Sequence, residues 1–280
     1  MARAPRVVVV TDSTADIPAA IAREMRISVV PAILTIDNET FRDSEAFSRD
    51  DFYQRMPSMK SPATTAVPSI DEFKNAYETG LEMGAENVFA VHVSSKLSAM
   101  YDTATRAAED FGDRVETFDS EQLSLGLGFQ AMDAADCALR GNTLNEVRAC
   151  ALRARQNARV FAMINSLEYL RRSGRVSWLQ AGVGDMLRIK VLIDIKGGLP
   201  IFAGRTRTRK KGVEKLITCG EAWKRVARFA VLHSGVPDEA TEIANQLEHI
   251  SSTPALVVSA TTIIGAHIGP RSLGLAALVA

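Results

Sequence analysis

Four consecutive valines, Val7 to Val10, run directly into Thr11-Asp12-Ser13-Thr14-Ala15-Asp16-Ile17-Pro18. A short β-branched apolar run reads as a strand buried on both faces, with the polar residues after it placed where a helix starts. Apolar spacing over 17–26 predicts that helix, with Pro18 in its first turn, and 27–31 predicts a second strand that closes a β-α-β unit. Residues 32–36 and those after Asp37-Asn38-Glu39 predict a hairpin, the Asp-Asn pair supplying the turn. The stretch 61–69, rich in Pro, Ser and Thr, predicts a loop, and Ser69 followed by Glu72 has the spacing of a capping box. Residues 88–93 predict another buried strand, which delivers Ser94-Ser95-Lys96-Leu97-Ser98 to a helix running through Glu109. A strand at 115–118 ends in Asp119-Ser120 and precedes a helix at 126–139.

Strands alternating with helices of this length predict an α/β fold, with a doubly wound parallel sheet covered on both faces. A helix at 144–157 leads to a strand at 160–164, and the domain boundary is placed there: 1–158 forms an N-terminal α/β domain and 159–280 a C-terminal one. In the second domain a hairpin (191–195 and 199–202 around Lys196-Gly197-Gly198) implies a mixed sheet. A helix at 213–226, a strand at 229–232, a helix at 238–250 and strands at 255–258 and 273–279 complete the pattern.

Charge changes this picture by exclusion. Lys and Arg total 33, as do Asp and Glu, so no global field favours nucleic acid. Cys137, Cys150 and Cys219 are few and widely spaced, which predicts reduced thiols, neither a disulfide framework nor a metal site, and a cytoplasmic protein. No apolar run approaches the ~20 residues that span a bilayer, so no integral membrane segment is expected.

Small hydroxyl residues recur at the predicted strand ends: Thr11 and Ser13, Thr65 and Ser69, Ser94, Ser95 and Ser98, and Ser120. Neighbouring parallel strands bring their carboxyl ends to one rim, where such donors suit a carboxylate or phosphate. The alternative for each is a helix cap. His267, flanked by Gly265, Gly269 and Pro270, reads either as a ligand donor or as a solvated loop residue. His92 reads as a core residue, His249 as a surface one, and His233 is open. Arg171-Arg172-Ser173-Gly174-Arg175 reads as helix-end charge, while the run Arg205 to Lys211 fits either a phosphate or partner contact or a solvated loop. There is no P-loop, dinucleotide fingerprint, nucleophile elbow or His-Glu-x-x-His motif. The residues alone lead to an α/β protein that binds a small anionic ligand.

Taken in order along the chain, these segments resemble the DegV family of bacterial fatty-acid-binding proteins. The resemblance is carried by Thr11 to Pro18, Thr65-Ala66-Val67-Pro68-Ser69, Ser94 to Ser98, Asp119-Ser120, Leu167-Glu168-Tyr169-Leu170 with Ser173-Gly174-Arg175, Arg207, and His267-Ile268-Gly269-Pro270. It implies a cytoplasmic lipid carrier with no cofactor, metal or catalytic machinery of its own. Such a protein holds a long-chain fatty acid in an apolar tunnel between its domains, for a separate ATP-dependent fatty acid kinase subunit to phosphorylate. The carboxylate contacts fall on Thr65, Ser95 and His267, with Thr11, Ser13, Ser94, Ser98 and Ser120 as further rim candidates. Arg172, Arg175 and Arg207 match residues expected to meet the phosphate or the kinase. The chain departs from the family pattern at Ala66, Val67, Ala99, Met100, Ile268 and Arg271, which imply a different chain length or shape in the ligand. The rival readings are an enzyme acting on a small phosphorylated sugar or triose, and a regulatory protein without a ligand.

Overall fold

The computed structural model describes residues 6–43, 45, 48–175 and 189–280. In chain order the elements are β1 (Val7–Asp12), α1 (Ala19–Glu24), β2 (Ile27–Val30), β3 (Ile33–Ile36), β4 (Glu39–Arg42), α2 (Arg49–Arg55), β5 (Thr64–Ala66), α3 (Ile70–Glu82), β6 (Asn87–His92), α4 (Met100–Ala108), β7 (Val115–Asp119), α5 (Leu125–Leu139) and α6 (Leu144–Asn157). Then follow β8 (Ala158–Ile164), α7 (Glu168–Arg172), β9 (Lys190–Lys196), β10 (Leu199–Thr206), α8 (Arg209–Ala222), β11 (Val226–His233), α9 (Pro237–Gln246), β12 (Leu256–Ser259), α10 (Thr262–Ile268) and β13 (Leu273–Val279). None of the described helices is long and apolar enough to cross a membrane.

The chain forms two compact units, Met1–Ala32 with Val67–Ala158, and Ile33–Ala66 with Arg159–Ala280. This differs from a single division at 158/159, because residues 33–66 join the second unit. The cause is pairing. β3 bonds to β4 and β5 in an antiparallel sheet, and both β3 and β5 pack on α10. Residues 61–69 are therefore more than a loop, since β5 lies inside them.

The first unit holds the parallel sheet β2-β1-β6-β7. Val8 and Val88 face α3, where Gly80 admits them closely, while Phe89 and Phe118 face the other way and Arg155 of α6 lies 4.7 Å over the Phe118 ring. Helices thus cover both faces, as a doubly wound sheet requires. Ser69 and Glu72 complete the expected capping box, and Asp37 and Asn38 turn the β3–β4 hairpin at φ 49° and 70°. Pro18 stands at the N-cap of α1, one position before its first turn. One expectation fails: Cys137 and Cys150 are joined as a disulfide, because the α5–α6 hairpin sets their Cα atoms 6.7 Å apart. Cys219 is the free cysteine, and burial raises its thiol pKa to about 11.

The second unit is built on the mixed sheet β10-β9-β8-β13-β11-β12. Alternate residues of one strand serve opposite faces. Met163 and Leu192 join a large cluster with Leu216, Phe229, Leu247 and Leu275, whereas Ile164 and Val191 join a smaller one with Leu167, Leu170 and Ile189. The helix expected at 213–226 starts at Arg209, because Thr208 caps it by accepting from the Lys211 amide. Arg209, Lys210 and Lys211 of the basic run therefore form a helical first turn.

Candidate ligand-binding site

His267 is not on a loop. It occupies the last turn of α10, which Thr261 starts as N-cap and Gly269 ends. The glycines that suggested a loop have a packing role instead. Tyr53 of α2 lies against Gly265, where a Cβ would come within 2.6 Å of its hydroxyl, and that hydroxyl donates to the Ala260 carbonyl at 2.9 Å. Thr262 donates to the buried Asp43 carboxylate at 2.6 Å. At the other end Ser234 donates to the Gly269 carbonyl at 2.8 Å, and Ser272 donates to the Ile268 carbonyl at 3.2 Å. The histidine is thus carried on a helix fixed at both ends.

Across from it, Thr65 of β5 lies with its hydroxyl 3.0 Å from His267 Nε2. Burial, and secondarily the positive charge of Arg175, lowers the imidazole pKa from 6.5 to about 4. Among the described residues, His267 Nδ1 is buried and has no partner, so none of them supplies the carboxylate that orients the imidazole of a hydrolytic triad. A neutral imidazole, a hydroxyl and a nearby guanidinium offer an oxyanion donors and a favourable field without a counter-charge. Ile268, the next residue, packs on the smaller apolar cluster together with the half-buried Ile193 and Phe202. A polar pair therefore adjoins an apolar surface within one unit.

The other candidates have the following partners. Ser95 belongs to the first unit, and its hydroxyl donates to Asp119 Oδ2 at 2.6 Å, so its single proton is already committed. The expected rim hydroxyls serve their own backbone. Thr11 donates to the Val91 carbonyl at 2.8 Å, and Ser13 accepts from the Ala32 amide at 3.1 Å. Ser94 and Ser98 accept from the amides of Lys96 and Met100, and Ser120 donates to the Gln122 carbonyl. His92 is the core residue expected, wholly buried, with Nδ1 3.1 Å from Asp12 Oδ2 between β1 and β6. That pair fills the switch point of the parallel sheet, where a ligand crevice was anticipated. His249 is exposed and 2.9 Å from Glu221, and His233 is buried with its pKa lowered, chiefly by desolvation. Arg172 is exposed and pairs with Glu168, Arg175 donates to the Ser173 carbonyl at 2.7 Å, and Arg207 is exposed. The described residues contain no cluster of His, Cys, Asp or Glu fit for a metal ion. Sequence reasoning missed α2 and hence Tyr53, whose signal was only the apolar pair Phe52-Tyr53 in a polar stretch.

The histidine makes stability depend on pH. The unfolded chain binds a proton at His267 near pH 6.5 and the folded chain only near 4, so the folded form loses its advantage as pH falls through that window. His233 acts in the same direction. Urea unfolding is expected to show a loss on the order of 2 kcal/mol between pH 7 and pH 4 from His267. His267→Gln is expected to flatten the slope; an equal slope in the variant contradicts the assignment.

Comparison with known proteins gives one consistent result. A family model described as "Uncharacterised protein, DegV family" matches residues 6–280. A DegV domain-containing protein of Streptomyces coelicolor is 31% identical over 272 residues, 96% of each chain. One from Mycobacterium tuberculosis is 32% identical over 273 residues, 96% of this chain and 95% of its own. Among solved structures, a DegV family protein from Thermus thermophilus, described for its fatty acid binding, has a TM-score of 0.90 at 31% identity, covering 98% of this chain and 100% of that one. DegV of Bacillus subtilis, described as a fatty acid binding protein, has a TM-score of 0.85 at 26% identity, with 99% and 100% covered.

Proposed function

The chain belongs to the DegV family, and we propose that it binds a long-chain fatty acid, holding the carboxylate at Thr65 and His267, and carries it to a separate kinase. The observation that supports this best is the Thr65–His267 pair itself, 3.0 Å apart, with its imidazole neutral and the Arg175 charge nearby. Each buried methylene contributes about 0.8 kcal/mol, so the acyl chain supplies most of the affinity and the polar pair orients the head. Ile193, Phe202 and Ile268 form apolar surface next to that pair and suit the first carbons of the chain. Ile268 stands where the family usually has Thr, which extends this surface toward the head group.

The fatty-acid descriptions of the Thermus and Bacillus proteins support the ligand class. The kinase step rests on the family resemblance. In this reading the protein performs no phosphoryl transfer itself, and the kinase acts with ATP on the presented carboxylate to give an acyl phosphate. Arg172, Arg175 and Arg207 are the proposed contacts for the phosphate or the kinase, and Ser95 is the proposed third carboxylate contact.

Native mass spectrometry of protein purified from bacteria tests the ligand. The expected result is a mass excess that extracts as long-chain fatty acid. A ligand-free mass that stays unchanged after incubation with oleate contradicts the reading.

A further inference from the structure

A second group of charged side chains lies in the same unit, away from the residues assigned above. Lys190 begins β9, Arg209 begins α8, and Arg271 follows α10. The Lys190 ammonium is half-buried and donates to the Asn165 carbonyl at 2.9 Å; among the described residues no carboxylate lies within ion-pair distance of it. Its pKa is lowered by burial first, then by the positive charges of Arg209 and Arg271. Both guanidiniums share one carboxylate, Glu239: Arg209 Nε lies 2.6 Å from Oε2, and Arg271 Nη2 lies 3.2 Å from Oε1. Among the described residues, Lys190 and Arg209 thus meet at Asn165, while Arg209 and Arg271 share the single carboxylate of Glu239. Arg209 also donates through Nη1 to the Arg271 carbonyl at 2.6 Å and to Asn165 Oδ1 at 3.3 Å, while its buried Nη2 has no partner among the described residues.

Part of this arrangement is structural. Arg271 sits at φ 65°, in left-handed backbone, and the Arg209 clamp on its carbonyl helps hold that turn. A clamp accounts for Arg209 but not for Lys190, which adds a third positive charge to a partly buried cluster and, among the described residues, gains only a neutral carbonyl. Like charges brought together at partial burial destabilise a fold unless an anion completes them. We infer that Lys190, Arg209 and Arg271 form a binding site for a phosphate dianion. The surplus of two charges matches it, and the point charge of a lysine beside two planar guanidiniums is the donor set that tetrahedral oxyanions use. The inference stands independently of fatty acid binding, since none of these residues belongs to the Thr65–His267 site.

The test uses the full chain labelled with ¹³C-lysine, titrated with inorganic phosphate and, separately, with acetyl phosphate at constant ionic strength. The Lys190 Cε signal, assigned by its loss in Lys190→Met, is expected to shift saturably with one of the two. The tighter binder distinguishes free phosphate from an acyl phosphate as the source. Lys190→Met and Arg271→Gln are each expected to weaken that binding about fivefold or more, read calorimetrically. Both are accessible enough to leave the fold intact, and circular dichroism of each variant checks this. A shift matched by sodium chloride alone, or an affinity unchanged in both folded variants, overturns the site.

Discussion

Replacing Gly269 by alanine is expected to cost about 3–5 kcal/mol of stability and to remove fatty acid binding with it. Gly269 ends α10 at φ 72°, ψ 176°, a conformation that is essentially restricted to glycine. A Cβ there would overlap the Tyr169 ring of α7. The two causes add, because the ring cannot retreat without disturbing α7 and the apolar cluster around Leu170, and the backbone cannot relax without losing its bonds. Those bonds run from the Gly269 amide to Gly265 and from Ser234 to the Gly269 carbonyl, both at 2.8 Å. His267 lies two residues away. Thermal unfolding reads the stability, and a variant within about 1 kcal/mol of the parent contradicts this account of the helix end.

Changing Thr65 to Val and His267 to Gln together is expected to reduce affinity for a long-chain fatty acid by about 10–100-fold while leaving affinity for the matching fatty alcohol nearly unchanged. The alcohol shares the chain, so it reports the apolar surface; the acid adds the carboxylate, so their ratio reports the head-group contacts. Loss of both ligands in equal measure would mean that the pair supports the fold and does not select a carboxylate. Ser95→Ala belongs in the same series. Its hydroxyl proton is committed to Asp119, so contact with a second carboxylate requires that bond to be exchanged. An acid-to-alcohol ratio unchanged in Ser95→Ala would restrict the site to Thr65 and His267.

The alternation of strand and helix was legible because strands buried on both faces are continuous apolar runs, and β1, β6 and β13 lie where the pattern puts them. Charged first turns and caps were legible for the same local reason, as at Ser69 and Glu72. What local pattern does not carry is pairing between distant segments. β5 is three residues long, two of them threonines, and becomes a strand only because β3 receives it; nothing near Thr64 announces that partner. The same non-local pairing moves 33–66 into the second unit. α10 was hidden by Gly265 and Gly269, which look like loop residues until Tyr53 and Tyr169 are seen lying against them.

Strand-end hydroxyls in the parallel sheet bond to backbone groups, and the Asp12–His92 pair lies at the switch point. The opposed hydroxyl and imidazole belong to the other unit; Thr65 and His267 were separate candidates by residue type, and the family resemblance joined them as carboxylate contacts. The cysteine pair escaped notice because thirteen residues of separation say little about two helices until the hairpin that joins them is known.

The most direct measurement is a crystal structure of the protein with a bound long-chain fatty acid. The account predicts elongated density whose carboxylate lies within hydrogen-bond distance of Thr65 Oγ1 and of the His267 imidazole, with its first carbons on Ile268. A head group seated elsewhere, with the Thr65–His267 pair left bonded only to itself, would contradict it.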